Sequence, residues 1–131
     1  MKHIQATDSA SVAGPAETFT GDVRIDGLFT MPDPAEGSAG IVTFAPGART
    51  AWHTHPKGQL LLVLSGVGWV QVKGQPRQTI RAGDIVWFDP DETHWHGASA
   101  DHAMSHVAIQ EAENGSPVTW LGHVTDAEYD A

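Results

Sequence analysis

The chain has 131 residues and a formal net charge of −9, with 16 acidic and seven basic residues. This length corresponds to one domain with room for a hydrophobic core. The basic residues are scattered, which argues against a nucleic-acid-binding surface, and the absence of cysteine excludes disulfides and thiolate metal sites. No apolar run has the length of a membrane span or the form of a secretory signal, so we expect a cytoplasmic protein.

Fourteen glycines and eight prolines predict many turns and therefore short strands. Residues 1–20 are polar and lack periodicity, and we expect an N-terminal arm there, followed by one domain over residues 21–131. Apolar patterning between turn signals predicts ten strands: Gly21–Asp26, Gly40–Phe44, Arg49–His55, Gln59–Ser65, Trp69–Val72, Gln78–Arg81, Asp84–Phe88, Thr93–His96, Met104–Gln110 and Val118–Val124.

Two further signals complete the predicted architecture. Gly66–Gly68 is interpreted as a tight reversal between the fourth and fifth strands. Residues 125–128, Thr-Asp-Ala-Glu, have the form of a capping box, which predicts a short C-terminal helix. Short strands at this turn frequency are typical of an all-β sandwich or barrel.

Three histidines and a glutamine have the spacing of a single metal site. His53 and His55 lie two apart in a predicted strand, so their side chains project from the same face. The turn at Pro56–Gly58 would bring the amide of Gln59 back toward them, and His94 would join from another strand. The sequence therefore predicts one cation held by three imidazoles and one amide.

These residues resemble the first cupin motif, which reads Gly, five residues, His-x-His, three or four residues, Glu, six residues, Gly. Every spacing is kept, with glutamine in place of glutamate; the matching residues are Gly47, His53, His55, Gln59 and Gly66. Gly83 and His94 match the second motif, whose internal Pro-x-Gly is poorly kept. The resemblance covers about residues 40 to 110 and implies a single-domain cupin, that is, a double-stranded β-helix or jelly-roll barrel.

A narrower resemblance is to the small bacterial cupin hydroxynitrile lyases, manganese-dependent enzymes that cleave or form cyanohydrins. The similar stretches are Pro46–Pro56, Gly83–Phe88, His94–Ala98, His106–Glu111 and Trp120–Tyr129. This resemblance implies a small-molecule substrate and Mn(II) held by His53, His55, Gln59 and His94. The mixed N/O donor set also suits Fe(II), Zn, Ni or Co.

A lyase would need a base other than Gln59, because an amide cannot accept the proton. His106 shares a strand face with Met104, Ala108 and Gln110, and this mixture is typical of a pocket wall. We expect His106, in preference to His96, to remove the hydroxyl proton of a cyanohydrin. The substrate pocket is expected to be lined by Val42, Thr50, Ala108 and Gln110.

Other readings of the sequence stay open. An iron or manganese cupin dioxygenase usually has a carboxylate where this chain has Gln59. A non-catalytic small-molecule-binding cupin would have no metal or a structural one. His96 is equally compatible with a role in orienting His94. Cupins commonly exchange N-terminal strands between subunits, so we also expect a homodimer or homotetramer.

Overall fold

The computed structural model describes all 131 residues and contains twelve strands. The strands are β1 (Ser11–Ala13), β2 (Phe19–Thr20), β3 (Val23–Thr30), β4 (Gly37–Phe44), β5 (Arg49–Thr50), β6 (His53–Thr54), β7 (Gln59–Val72), β8 (Gln78–Arg81), β9 (Ile85–Phe88), β10 (His94–Ala98), β11 (Met104–Glu111) and β12 (Thr119–Trp120). A 3-10 turn covers Ala6–Asp8, and the helix α1 covers Asp126–Asp130. Neither helical segment has the length and hydrophobicity of a membrane span.

The strands form two antiparallel sheets that share β7 and curl into a barrel. One sheet has the strand order β1-β3-β4-β11-β7-β9, and the other has β2-β5-β10-β7-β8. The short strand β6 pairs with β10 and with β12. The all-β barrel and the C-terminal helix predicted from the sequence are therefore confirmed.

The predicted reversal at Gly66–Gly68 is wrong, because β7 runs unbroken through these residues. Its first half pairs with β11 and β9, and its second half with β10 and β8. Gly66 has a φ of +80° and contacts the segment before β11 so closely that a Cβ would lie 1.8 Å from the carbonyl oxygen of Ala103. The glycines thus let one strand pass from sheet to sheet rather than turn back.

Other strand boundaries differ because neighbouring segments take some of the backbone hydrogen bonds. The predicted strand Arg49–His55 is divided into β5 and β6, since the Ala51 amide donates to Thr18 and the Trp52 amide to Gly122. Of the predicted strand Val118–Val124, only β12 is strand. Within residues 1–20, β1 pairs with β3 and β2 pairs with β5.

The helix α1 packs against the outside of the barrel, where Tyr129 contacts Trp69 and Trp95, and it begins with the expected capping box. The Thr125 hydroxyl accepts from the Glu128 amide at 3.1 Å, and the Glu128 carboxylate accepts from the Thr125 amide at 3.0 Å. Buried Arg49 donates to Asp126 at 2.8 Å, and the Tyr129 hydroxyl donates to the carbonyl of Ala98 at 2.8 Å. These contacts attach the helix to β5 and to the end of β10.

The outer face of one sheet carries two adjacent rows of apolar side chains across β4, β11, β7 and β9. The rows, set by the strand registers, are Ile41, Val107, Leu62 and Ile85, and beside them Ala39, Ile109, Leu60 and Trp87. Ile85 is 71% exposed and Trp87 is 55% exposed. None of the eight side chains is charged, and we call this surface the outer apolar face.

Candidate metal centre

The strand registers bring the predicted ligand residues together inside the barrel. His94 in β10 lies directly opposite His53 in β6, and their ring centroids are 4.3 Å apart. His55 follows β6, and its ring lies 5.0 Å from that of His53 and 5.6 Å from that of His94. Gly58, with a φ of +82°, completes the turn that starts at His55, and Gln59 begins β7 immediately after it.

Backbone carbonyls hold the Nδ1 atoms of all three histidines. The Nδ1–H groups of His53, His55 and His94 donate to the carbonyls of Ala51, Pro117 and Glu92 at 2.9, 2.7 and 2.8 Å. In a neutral imidazole this leaves the lone pair on Nε2. The same arrangement, Nδ1–H on a carbonyl and Nε2 free, is common in metal-binding histidines.

Gln59 and His94 bring two acceptor atoms face to face. Oε1 of Gln59 lies 3.1 Å from Nε2 of His94. Because Nδ1 of His94 carries the proton, neither atom has a hydrogen to donate, and a cation between them would satisfy both. Nε2 of His55 is also buried without a partner. The donor set therefore fits a divalent cation bound by imidazole nitrogens and one amide oxygen.

Burial keeps these imidazoles neutral. The pKa of His94 is lowered to about 4, chiefly by desolvation. Desolvation and the neighbouring His94 hold the pKa of His53 well below its ordinary value, and burial also lowers the pKa of His55. Neutral imidazole is the form that binds metal, so the site is ready to accept a cation at neutral pH.

His96 lies beside the predicted ligands. The ligand atoms of His53, His94 and His96 all lie within 4.8 Å of one another, a group that does not include His55. The Nδ1 of His96, however, faces Nε2 of His106 at 2.9 Å, and its own Nε2 is buried without a partner. An imidazole, not a carbonyl, therefore orients His96, which distinguishes it from the other three histidines.

His106 lies behind His96 and not on the cavity wall. It projects from β11 into the barrel, is fully buried, and packs against Phe44 with ring centroids 5.4 Å apart. Burial lowers its pKa to about 4, and burial also holds the pKa of His96 well below its ordinary value. The structure thus joins the two candidate bases into one contact pair with only His96 facing the cavity.

A cavity of about 170 Å³ opens beside this cluster. Its polar lining includes His53, His55, Gln59 and His96, and no carboxylate lines it. The four residues expected to line a pocket, Val42, Thr50, Ala108 and Gln110, all lie on its wall. The remaining wall is mainly apolar and consists of Phe19, Ile25, Leu28, Gly40, Pro117, Val118 and Trp120.

Sequence reasoning missed several groups that support the site. Phe88 stacks on the ring of His94 with centroids 3.6 Å apart and planes 12° from parallel. The carbonyl of Pro117, 62 residues from His55, fixes the ring of that histidine. No sequence signal identifies these partners, because each depends on how distant strands meet.

Comparisons with known proteins place the chain among relatives of the same fold. The family model for the cupin domain matches residues 40–109 of the sequence. The chain is 58% identical over 129 residues to an (R)-mandelonitrile lyase of Granulicella tundricola, and the match covers 98% of each protein.

Solved structures agree with this assignment. A cupin-like protein of Thermotoga maritima is 38% identical, with a TM-score of 0.83 and 89% of each chain covered. A DMSP lyase of Ruegeria pomeroyi has a TM-score of 0.63 at 14% identity, covering 90% of this chain and 59% of its own, and shares the fold alone. The chain belongs to the cupin family.

Proposed function

We propose that the protein is a metal-dependent hydroxynitrile lyase, which splits a cyanohydrin into an aldehyde or ketone and hydrogen cyanide or catalyses the reverse addition. The relative named (R)-mandelonitrile lyase, 58% identical along almost the whole chain, supports this reaction. The observation that carries the proposal is the unpartnered Nε2 of His96, on the cavity wall next to the candidate metal ligands.

His53, His55, Gln59 and His94 would hold the cation, for which Mn(II) is the first candidate and Fe(II), Zn, Ni and Co are alternatives. When bound, a divalent cation acts as a Lewis acid toward an oxygen of the substrate. The four donors are neutral, so they leave its charge uncompensated. Exchange of Gln59 for a carboxylate would reduce that charge by one unit.

We infer that His96, rather than the expected His106, exchanges a proton with a substrate. His96 lines the cavity and its buried Nε2 has no partner, whereas His106 does not line the cavity and contacts it only through His96. A proton on Nδ1 of His96, donated to Nε2 of His106, leaves the lone pair of His96 Nε2 directed at the substrate. In this tautomer His106 accepts the hydrogen bond and holds the ring of His96 in place.

The cleavage moves one proton and the electron pairs of the O–H and C–C bonds. The hydroxyl proton of the cyanohydrin passes to Nε2 of His96, and the O–H electron pair forms the new carbonyl bond. The electron pair of the C–C bond leaves with the nitrile carbon as cyanide. The protonated imidazole of His96 then returns its proton to cyanide, which releases hydrogen cyanide and restores the neutral histidine.

The cavity wall combines polar and apolar side chains. His53, Gln59 and His96 are among the polar ones, and Phe19, Leu28 and Val118 are among the apolar ones. An aryl cyanohydrin such as mandelonitrile has both kinds of group, with the hydroxyl and nitrile groups at one end and the ring at the other. The ring would contact the apolar side chains.

Release of benzaldehyde from racemic mandelonitrile tests the function. We expect turnover by the Mn(II)-loaded protein, loss of turnover after removal of metal by a chelator, and recovery when Mn(II) is restored. Release that is indifferent to the chelator and to His94→Ala would overturn the metal-dependent lyase. Oxygen consumption with the substrate would indicate a dioxygenase instead.

We also propose that the protein forms a homodimer, the smaller of the two expected assemblies, through the outer apolar face. Each copy carries a net charge of −9, so two copies repel one another, and the repulsion is smallest where they meet on a neutral surface. The two rows across β4, β11, β7 and β9 provide one, and sheets commonly pack face to face through such apolar rows. A two-fold axis would set the face of one copy against that of its partner.

A further inference from the structure

Ser38, Gln110 and Gln59 lie side by side on three adjacent strands. Gln110 in β11 is the register partner of Ser38 in β4 on one side and of Gln59 in β7 on the other. Gln59 is buried, and the other two residues are half-buried. Their polar atoms form a continuous row that ends at the candidate metal ligands.

The direction of the hydrogen bonds in this row is fixed by its first member. The backbone carbonyl of Ser38 can only accept, and it lies 3.2 Å from Nε2 of Gln110. The amide nitrogen of Gln110 must therefore face Ser38, whose hydroxyl oxygen is also within 2.9 Å of it. As a result Oε1 of Gln110, which also can only accept, faces Gln59.

The orientation of Gln59 follows from the same logic. Oε1 of Gln110 lies 3.1 Å from Nε2 of Gln59, so the amide nitrogen of Gln59 donates there. The oxygen of Gln59 then faces Nε2 of His94 at 3.1 Å. A flipped amide would set two carbonyl oxygens against each other at Gln110, and its N–H group would donate to Nε2 of His94 and so occupy the lone pair that a cation needs.

We propose that Gln110 is a positioning residue that holds the carboxamide of Gln59 with its oxygen toward the metal; this rests on the metal centre proposed above. An amide oxygen binds a hard divalent cation, whereas a neutral amide nitrogen does not. A carboxylate has two equivalent oxygens and needs no such control. Gln110 is thus required because the fourth ligand is a glutamine.

We expect the effect of Gln110 on metal binding to depend on the residue at position 59. Gln110→Met removes the acceptor while keeping a side chain of similar size. In the parent it should weaken Mn(II) binding by about 10-fold, a typical loss when a group that orients a ligand is removed. When it is added to Gln59→Glu, Gln110→Met should leave the Mn(II) affinity equal to that of the Gln59→Glu single variant or raise it. The reason is that Oε1 of Gln110 would repel a carboxylate at position 59.

Isothermal titration of Mn(II) into the metal-free variants measures this directly. Gln78→Met, at an exposed position in β8, is the matched control and should bind like the parent. Ser38→Ala keeps the backbone carbonyl that orients the amide of Gln110, so it should lower Mn(II) affinity less than Gln110→Met does. Thermal unfolding of each metal-free variant shows whether a loss of affinity merely reflects a loss of fold.

The possible results separate this inference from the metal centre itself. If Gln110→Met lowers Mn(II) affinity equally with glutamine and with glutamate at position 59, or does not lower it in the parent, Gln110 does not orient Gln59. Either result leaves the metal centre unaffected. A parent protein that binds no Mn(II), Zn(II) or Fe(II) would overturn both. A loss confined to the protein with glutamine at position 59 supports the inference.

Discussion

At the scale of single residues, the proposed chemistry depends on the pair His96 and His106. His96 faces the cavity, and His106 is fully buried with its Nε2 2.9 Å from Nδ1 of His96. The same strand alternation that indicated His106 from sequence places it inside the barrel. Only the contact between side chains of β10 and β11 shows that a second imidazole, that of His96, lies between His106 and the cavity.

Substitution of the two histidines should have different effects. His96→Ala should lower kcat by roughly 10²–10⁴-fold, the usual contribution of a general acid–base, without loss of bound metal. His106→Gln should lower kcat less and shift its pH profile, because it changes the environment of His96 and not the reacting group. Loss of metal from His96→Ala would instead identify His96 as a ligand, and full turnover by this variant would remove it from the mechanism.

Acid should destabilise the metal-free protein through its buried neutral histidines. The pKa of His106 is about 4 in the folded protein because of burial, whereas an unfolded histidine titrates near its ordinary value of 6.5. Between these values the unfolded chain binds the proton and the folded chain does not. The free energy of unfolding should therefore fall as the pH falls from 6.5 to 4, by up to about 1.4 kcal/mol per pH unit for such a group.

Urea unfolding at several pH values in the presence of a chelator checks this slope. His106→Gln should give a shallower dependence than the parent, since one proton-linked group is removed. His102→Gln, at an exposed position, should keep the parent slope. Identical slopes for all three proteins would show that His106 takes up its proton equally in the folded and unfolded states.

Among the secondary-structure elements, the long strand β7 links the two sheets and contacts the candidate metal site through both of its ends. Gln59 is its first residue, and its last residue, Val72, is the register partner of His94. The bend near Gly66 lets one strand serve both sheets. A side chain at that position would meet the carbonyl of Ala103, so the bend depends on glycine for space as well as for its positive φ.

Gly66→Ala and Gly74→Ala separate these two requirements. Both glycines have a φ near +80°, but nothing lies within 4 Å of a Cβ placed at Gly74. Gly74→Ala should cost about 1–2 kcal/mol of unfolding free energy, the usual strain of a left-handed alanine. Gly66→Ala should cost clearly more because of the clash, as measured by urea denaturation, and equal losses would mean that the strand relaxes there without penalty.

For the molecule as a whole, sequence spacing predicted more of the candidate site than of the strand connections. The proximity of His53, His55 and Gln59 could be predicted, because strand alternation and one short turn determine the local geometry. The path of β7 could not, since a glycine pair is equally compatible with a turn and with a bend. The contacts His96–His106 and Gln59–Gln110 join separate strands, and a single sequence does not contain their register.

Self-association through the outer apolar face is testable on the intact protein. Leu62→Lys and Ile85→Lys place charges in the centre and at the edge of the first row without touching the cavity. We expect the parent to have the mass of a dimer by light scattering, and the double variant to be a monomer that still binds Mn(II). A double variant with the parent mass would exclude this face as the interface.

Four neutral side chains from three strand regions are proposed to hold one divalent cation. Anomalous diffraction at the manganese edge, from crystals grown with Mn(II), shows whether they do. We expect one peak within coordination distance of Nε2 of His53, His55 and His94 and of Oε1 of Gln59. A peak held by His53, His94 and His96 without His55, or no peak inside the barrel, would contradict it.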